Sequence, residues 1–432
     1  MIYLFIHQNF PAQYVHIVRH LARDAGNRVL FITQAQDGAI EGVEKLVYRV
    51  DVPARTGVHP FVVDYDNAVR NGVAVMEVCR GLRARNVVPD IVVGHCGWGE
   101  ILLVKDVFPD TPVLSYFEFY YRARGADVGF DPEFTPPGAD DGPRLRLRNT
   151  VSRMSFDVSD WGHTATEWQR SLFPAEMQKR ITSLHEGIDT EVIRPNPKAW
   201  LKLARSEAVL TRNDEVITYV ARNLEPYRGF HWFMRALPEI LRKRPRCHVV
   251  VVGGDGISYG SIPPYGGTYR EMLLAELGGQ LDTQRIHFLG QVPRETYLNV
   301  LQVSSVHVYF TYPFVLSWSL LEAMAAGCLV LGSGHEPVTE VLHDGVTGLA
   351  VNAIEPAAIC RRVEEVLEHP DRLQGIRDAA RAAVIEQYDL RTRAIPRWLS
   401  LLGSVTRGQR PGQSCAGDES DVPNERVAGK TN

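Results

Sequence analysis

The chain has 432 residues and a formal net charge of −4, and 45% of its residues are hydrophobic and 23% charged. Because one hydrophobic core stops growing at roughly 250–300 residues, this length predicts two domains. The slight acidity excludes a protein built mainly to hold nucleic acid, since that task requires a net basic face. The six cysteines form no Cys-x-x-Cys pair, which predicts reduced, structural thiols in a cytoplasmic protein.

The first half of the chain alternates short apolar runs with helical patterns. Four apolar runs predict buried strands, at 2–6, 28–33, 90–94 and 111–117. The pattern of 13–24 predicts a helix between the first two strands, and this alternation indicates a parallel sheet with crossover helices. The first run has no basic leader, so it is typical of a strand and not of a signal peptide. No run reaches the roughly 18 apolar residues of a membrane span.

The second half repeats this plan after a break in regular structure. The prolines and Asn196 of 188–197 predict a linker near 190–205. Beyond it, a helix is predicted at 230–241 and strands at 215–221, 247–253, 286–290, 305–310 and 328–333. Two doubly wound sheets in tandem bind ligands in the cleft that their strand ends face. We therefore predict domains at 1–195 and 205–385, a C-terminal helix at 386–403 that packs back, and a disordered tail at 404–432.

The apolar segment 311–333 carries a single charge, Glu322. A buried unpaired carboxylate costs several kcal/mol, so Glu322 needs a partner. The segment predicts a helix from about Ser317 to Gly327, and one interpretation is a capping box that returns Glu322 to the Ser319 amide. The other is a nucleotide site, in which exposed amides from Leu316 to Leu320 hold a diphosphate and Glu322 accepts ribose hydroxyls. The donor residues would then include Ser317, Trp318, Ser319 and Leu320.

Two arginines follow the strand predicted at 215–221. Arg222 stands at the strand end and Arg228 on the loop before the next helix. Both are compatible with a solvated surface, but two guanidiniums at strand-end loops also suit a diphosphate leaving group, whose charge grows as a glycosidic bond breaks. No metal would then be required. The Asp-x-Asp tripeptide at 64–66 lies away from a strand end and is set aside as a metal site.

The first domain offers four polar candidates at predicted strand ends. His95 follows the strand at 90–94, and Glu118 follows the strand at 111–117 among aromatic residues. A structural histidine and a helix-start carboxylate remain open alternatives for these two. Gln8 and Asn9 lie on the first loop and are expected to contact ligand through their side chains. The long loop 118–145 is acidic and aromatic, which predicts contact with a polyhydroxylated acceptor.

Six motifs in order carry a resemblance to a known family: 186-EGIDTEVIRPNP-197, 222-RNLEPYRG-229, 250-VVVGGDG-256, 288-FLGQVP-293, 319-SLLEAMAAG-327 and 337-PVTEVLHDGVTGL-349. With these motifs, the chain resembles the family 4 retaining glycosyltransferases over most of residues 1–400. The resemblance implies the α/β GT-B fold, in which two Rossmann-like doubly wound domains face a cleft. It also implies a nucleotide-sugar donor held by the second domain, with Gly254 and Val292 among the contacts, and an acceptor held mainly by the first.

The resemblance assigns roles to some residues and leaves two departures. Arg222 and Arg228 match an Arg and a Lys that grip the diphosphate, and Glu322 matches the ribose-binding glutamate. Phe314 stands eight positions before Glu322, where the family usually has a second glutamate that contacts the donor sugar. Glu118 stands at the position that matches a histidine of many members.

We expect a retaining hexosyltransferase that acts on a saccharide or lipid-linked saccharide in cell-surface polysaccharide or glycoconjugate synthesis, without cofactor or metal. Two alternatives stay open. One is an inactive nucleotide-sugar-binding scaffold, since Phe314 and Glu118 replace familiar residues, and the other is an epimerase of the same fold. We expect no nucleic-acid partner and a cytoplasmic location, with peripheral contact at the inner face of a membrane as an open alternative.

Overall fold

The computed structural model describes residues 1–50, 57–203, 208–264 and 266–411. Its N-terminal sheet has seven strands: β1 Ile2–Ile6, β2 Arg28–Thr33, β3 Val43–Val47, β4 Ile91–His95, β5 Val113–Tyr116, β6 Trp161–Thr164 and β7 Ile181–Ser183. The spatial order is β3-β2-β1-β4-β5-β6-β7, and all neighbouring pairs are parallel. The order reverses between β1 and β4, so the loops after these two strands diverge and open a crevice at their carboxyl ends.

An antiparallel pair of short strands, β8 Trp200–Lys202 and β9 Val209–Thr211, leads into the second sheet. This sheet has six parallel strands: β10 Val216–Asn223, β11 His248–Gly254, β12 Ile286–Gly290, β13 Val306–Tyr309, β14 Val330–Ser333 and β15 Leu349–Val351. Their order is β12-β11-β10-β13-β14-β15. The reversal here lies between β10 and β13, which places the crevice at the loops that follow these two strands.

Helices cover both sheets. Those of the first domain are α1 Val15–Ala22, α2 Val63–Ala84, α3 Val104–Val107, α4 Asp141–Arg148, α5 Thr150–Val158, α6 Glu167–Leu172 and α7 Ala175–Gln178. Those of the second are α8 Phe230–Lys243, α9 Tyr269–Leu277, α10 Arg294–Val303, α11 Trp318–Ala325, α12 Pro356–Glu368 and α13 Gln374–Tyr388. The last helix, α14 Ile395–Thr406, returns to the first domain, where Trp398 and Leu401 are buried in one cluster with Tyr3 and Phe5 of β1.

The sequence located nine of these strands but missed other elements. The long helix α2 and the strands β3, β6, β7 and β15 were not predicted. The linker predicted near 190–205 includes β8, whose Leu201 packs with the core of the second domain. The C-terminal helix predicted at 386–403 is in fact the end of α13, a π-helical turn at Leu390–Ala394, and α14. Because α14 continues to Thr406, the tail begins later than residue 404, and residues 412–432 lie outside the described part.

Two further predictions concern the cysteines and membrane-spanning segments. The five cysteines in the described residues are free and buried, which agrees with structural thiols, whereas Cys415 lies outside those residues. Within the same part of the chain, we find no helix whose length and apolar character would let it cross a membrane.

Candidate active site

Arg228 is a buried cation beside the crevice of the second domain. It ends a 3-10 turn, Pro226–Arg228, and Gly229 follows with a φ of 64°, a left-handed conformation that lets α8 begin immediately. Its Nη1 donates to Thr311 Oγ1 and to the Val315 carbonyl, each at 3.0 Å. In the described residues no ion pair joins Arg228 to a carboxylate. The guanidinium also lies 5.2 Å from the centre of the Tyr259 ring, so its direct partners are neutral groups and its charge can attract an anionic ligand.

The start of α11 lies next to Arg228, because the Val315 carbonyl, which accepts from Arg228, stands two residues before the N-cap residue, Ser317. The Ser317 amide donates to the Tyr309 hydroxyl at 2.8 Å, the Ser319 amide to Ser317 Oγ at 3.4 Å, and the Leu320 amide to the Ser317 carbonyl at 3.2 Å. The prediction that the amides from 316 to 320 are all exposed is therefore wrong for these three. The protein satisfies them itself, so the helix start offers fewer donors to an anion than predicted.

Trp318, the first residue of α11, faces the N-terminal domain. Its indole N–H donates to Glu186 Oε2 at 3.0 Å, and its ring stacks on His16 of α1 with centroids 5.5 Å apart. Trp318 thus joins the helix start to the other domain. Glu186 was quoted in a motif but not predicted as a site residue.

Glu322 has partners other than the predicted ones. It is 6% exposed, its Oε1 accepts from Arg294 at 2.7 Å, and its Oε2 accepts from the Tyr297 hydroxyl at 2.5 Å. The capping-box interpretation is wrong, because Ser317 and not Ser319 caps the helix and Glu322 faces α10. A carboxylate has about four acceptor positions, and these two hydrogen bonds occupy two of them.

The other predicted donor residues lie at neighbouring strand ends. Arg222 is exposed near the end of β10. Burial, the neighbouring His95 and, to a smaller extent, Arg222 all lower the pKa of His7, so the Arg222 charge acts on the first loop of the other domain. At Gly254 a Cβ atom would lie 2.7 Å from Asn223 Oδ1, so a larger residue there would require the Asn223 side chain to move. Val292 is half-buried between β12 and α10.

A cavity of about 200 Å³ in the first domain is lined by two of the four predicted residues of that domain, His95 and Glu118. Glu118 Oε2 lies 3.5 Å from His95 Nε2, and the Glu118 side chain is 35% exposed. His95 is 1% exposed, and its Nδ1 accepts from the Gly97 amide at 2.8 Å. In a neutral ring the proton is therefore on Nε2, which is buried without a hydrogen-bond partner and points toward the cavity and Glu118.

The same cavity is lined by residues that the sequence analysis missed or set aside, among them Asp64, Asn67, Asn71, Trp98 and Arg148. The first three lie on α2, the helix that was not predicted. Their spacing of three and four residues puts them on one helical face, and this polar stripe is the signal that was available. Arg148 pairs with Asp64 at 3.3 Å and lies 3.8 Å over the Tyr121 ring, so its charge is already engaged.

The first loop contacts two residues that line this cavity, His95 and Trp98. The Asn9 amide donates to His7 Nδ1 at 2.9 Å, and the His7 ring lies edge-on to His95 and to Trp98, with centroids 5.2 and 5.0 Å apart. Gln8 is half-buried and Asn9 is exposed. Both lie on the loop that follows β1, at the crevice between β1 and β4, and their contact with a ligand stays a prediction.

Phe314 fills an aromatic cluster between the domains. Its ring lies 4.6 Å from Phe119 of the first domain and 5.5 and 5.0 Å from Tyr227 and Tyr259 of the second. This position therefore provides an apolar wall where the resemblance implies a carboxylate. Among the residues that the structure describes, no group of three or more His, Cys, Asp or Glu side chains could hold a metal ion.

Two family models match most of the chain. The model described as glycosyl transferase family 4 group matches residues 25–193, and the model described as glycosyl transferases group 1 matches residues 204–383. Their boundary at 193–204 coincides with the passage from the first sheet to the second.

Curated relatives match at low identity. The D-inositol 3-phosphate glycosyltransferase of Streptomyces coelicolor is 28% identical over 215 residues, 46% of this chain and 45% of that protein. The GDP-mannose-dependent alpha-(1-6)-phosphatidylinositol monomannoside mannosyltransferase of Mycolicibacterium smegmatis is 26% identical over 261 residues, 58% of this chain and 64% of that protein. The chain spans about half the length of the curated relatives it matches.

Solved structures share the architecture. Sucrose-phosphate synthase from Thermosynechococcus elongatus superposes with a TM-score of 0.70 at 14% identity, covering 94% of this chain and 100% of that one. HepE from Anabaena in complex with UDP and glucose gives a TM-score of 0.63 at 16% identity, with the same coverage. At such identities the likeness shows the fold alone, and that fold has two Rossmann-like domains.

Proposed function

Because the chain belongs to the family 4, group 1 glycosyltransferases and has their GT-B fold, we propose that it transfers a sugar from a nucleoside diphosphate donor to a hydroxyl of a saccharide acceptor, with retention. One observation carries the proposal most directly. The buried guanidinium of Arg228 has no carboxylate partner in the described residues, and it stands beside the start of α11 in the crevice of the second domain.

The donor would occupy this crevice. Arg228 and the exposed Arg222 bind the diphosphate, and the free acceptor positions of Glu322 take the ribose hydroxyls. As the bond between sugar and phosphate breaks, negative charge grows on the leaving diphosphate. The fixed guanidinium of Arg228 stabilises that charge without reorganisation, and two arginines allow the reaction to proceed without metal.

The acceptor would occupy the cavity of the first domain. Its reacting hydroxyl lies near Glu118 and His95, which hold and orient it through Oε2 and Nε2–H. The leaving phosphate itself takes the hydroxyl proton on the face from which it departs, which gives retention without a covalent sugar intermediate. The apolar wall at Phe314 supports this route, because it offers no nucleophile at that position.

The lining of the cavity suits an uncharged, hydroxyl-rich acceptor. Glu118 offers a partly exposed carboxylate and Trp98 an aromatic face, while Arg148 is engaged by Asp64 and Tyr121. The relatives named above act, by their names, on inositol phosphate and on phosphatidylinositol monomannoside. We propose a saccharide or lipid-linked saccharide for this chain, used in cell-surface polysaccharide or glycoconjugate synthesis at the cytoplasmic side of a membrane.

The first test is a thermal-shift screen of the chain against UDP-, GDP- and ADP-sugars. A ligand at a hundred times its Kd stabilises the folded state by about 2.7 kcal/mol. We expect one nucleotide class to raise the melting temperature, and Glu322→Ala to lose the shift measured against its own ligand-free form. Glu295→Ala, which removes an exposed carboxylate next to Arg294 on α10, should keep the shift.

Product analysis with the donor so identified then separates the candidate activities. Transfer to a saccharide supports the proposal, conversion of the donor sugar to its epimer indicates an epimerase, and binding without turnover or donor hydrolysis indicates a scaffold. The double variant Arg222→Ala, Arg228→Ala should be inactive. Near-normal turnover by this variant, or a folded protein that no nucleotide sugar stabilises, would contradict the donor site.

A further inference from the structure

A segment of the first domain, residues 126–135, lies across the second domain; we call it the strap. Ala126 is buried in the hydrophobic core cluster of the second domain. Phe130 packs against Tyr312 with ring centroids 5.4 Å apart, and Phe134 against His231 at 4.8 Å. The sequence predicts an acceptor loop over 118–145, whereas the contacts of this segment are with the second domain.

Asp131 fixes the centre of the strap. Its Oδ2 accepts from the Tyr312 hydroxyl and from His231 Nε2, each at 2.8 Å, and its Oδ1 accepts from the Glu133 amide at 3.0 Å. Burial alone would raise the pKa of Asp131, but these hydrogen bonds lower it, so the carboxylate is ionised. Burial lowers the pKa of His231, so its ring is neutral and donates from Nε2.

Asp127 makes a second anchor at the start of the strap. It is 2% exposed, and its Oδ2 accepts from the Tyr227 hydroxyl at 2.9 Å. Hydrogen bonds to an ionised or buried acceptor of this kind are stronger than those between exposed neutral groups. The strap therefore holds two tyrosines of the other domain by their hydroxyl groups.

These two tyrosines belong to the segments that surround Arg228. Tyr227 directly precedes it, and Tyr312 directly follows Thr311, whose Oγ1 accepts from Arg228. The two segments are also tied to each other, because the Tyr312 amide donates to the Tyr227 carbonyl at 3.0 Å and Thr311 Oγ1 donates to the same carbonyl at 3.2 Å. A carboxylate that accepts a hydrogen bond from either tyrosine hydroxyl therefore restrains the residues that surround the Arg228 guanidinium.

We propose that Asp127 and Asp131 are positioning residues, by which the first domain fixes the segments 226–229 and 311–317 and so holds Arg228 in place for a diphosphate. The inference rests on the proposed function only in naming that ligand. Side chains that bind substrate need such supporting contacts to stay within a fraction of an ångström of their working geometry. Here that support comes from the opposite domain.

Hydrogen exchange of the free protein tests the positioning without any ligand. In Asp131→Ala the Tyr312 hydroxyl and His231 lose their acceptor, and we expect exchange about tenfold faster at the amides of Arg228 and Tyr312. Asp131→Asn, which keeps the side-chain shape, should show the same change to a smaller degree. It replaces Asp131→Ala in the experiment if the alanine variant does not fold.

The matched control is Glu133→Gln on the same strap. Glu133 forms its ion pair with Arg235 at 2.7 Å, and that pair is partly exposed and touches neither segment around Arg228. Unchanged exchange at Arg228 and Tyr312 is expected there. If Asp131→Ala speeds exchange only within 126–135, or if the control has the same effect as Asp131→Ala, the strap holds the domains together but does not position Arg228, and the inference is wrong.

Donor affinity gives the functional consequence. With the nucleotide sugar that produces the largest shift in the screen, we expect Asp131→Ala and Asp127→Ala to raise Kd about ten- to a hundredfold and Glu133→Gln to leave it unchanged. Faster exchange with unchanged Kd would overturn the role in donor binding. If no nucleotide sugar binds the unaltered protein, the proposed function fails, whereas the exchange experiment still decides whether the strap orders the two segments.

Discussion

Glu186 provides a prediction whose size follows from the structure. It is 3% exposed between the domains, where the Trp318 indole N–H donates to its Oε2. His185 Nε2 lies 3.7 Å from the same oxygen, but burial lowers the pKa of His185 to about 3, so that ring is neutral and does not offset the charge. Burial raises the pKa of Glu186 to about 7. Ionisation of Glu186 therefore costs more free energy in the folded protein than in the unfolded chain.

The sign and size of the effect follow by linkage. Between the ordinary value of 4.5 and about 7, the folded state holds a proton at Glu186 that the unfolded state has released. Stability from this group is thus fully present below pH 4.5 and is lost as the pH rises to about 7. The difference in pKa corresponds to about 3 kcal/mol. Glu186→Gln keeps an acceptor for Trp318 but cannot ionise, so it avoids this loss.

Differential scanning calorimetry of the two proteins from pH 5 to 8.5 makes the measurement. We expect nearly equal melting temperatures at pH 5 and, at pH 8.5, a higher one for Glu186→Gln by about 6–12 °C, the shift that about 3 kcal/mol gives in a domain of 150–250 residues. Glu41→Gln, at an exposed turn, is the control and should follow the unaltered protein throughout. Parallel pH profiles for Glu186→Gln and the unaltered protein would refute the reasoning.

Two further changes test the walls of the donor crevice. Gly229→Ala should lower the free energy of unfolding by more than about 2 kcal/mol in chemical denaturation, since its φ is 64° and the added Cβ would lie 2.4 Å from Phe310 Cβ. Gly375→Ala, where nothing lies within 4 Å of the added Cβ, should not destabilise the protein. Equal losses of stability in the two variants would contradict the steric argument. Glu225→Gln should speed hydrogen exchange at residues 258–260, because the fully buried Glu225 carboxylate accepts their three amides at 3.1–3.2 Å and the amide side chain can accept fewer. Unchanged exchange there would show that the loop is held by other contacts.

The sequence located the sheets well because their strands are buried on both faces. The run 286–290 coincides with β12, and the runs at 2–6 and 28–33 coincide with β1 and β2. Strands with a weaker apolar signal were missed. In β3, Val43–Val47, every residue is partly or fully exposed, and a periodicity argument has little to detect there.

For the site, sequence reasoning located residues but not their partners. Glu322 was recognised as a buried charge that needs a partner, yet the partner suggested from spacing, Ser319, was wrong. The true partners, Arg294 and Tyr297, lie on another helix, and helix packing decides such contacts. The same applies to the amides at the start of α11, which the Tyr309 hydroxyl at the end of β13 helps to satisfy.

Contacts between the domains were the least accessible to sequence reasoning. Asp131 and Tyr312 are 181 residues apart, and Glu340 of the second domain accepts the first amides of α6, 173 residues away, at 2.8 Å. Each contact depends on a single carboxylate outside the strands and long helices. Because carboxylates are also common on protein surfaces, the sequence does not distinguish these residues from ordinary surface ones. Because the three contacts that involve Asp131, Glu186 and Glu340 all join segments of the second domain to the first, we expect the proposed donor crevice to depend on how the two domains are held, and not on the second sheet alone.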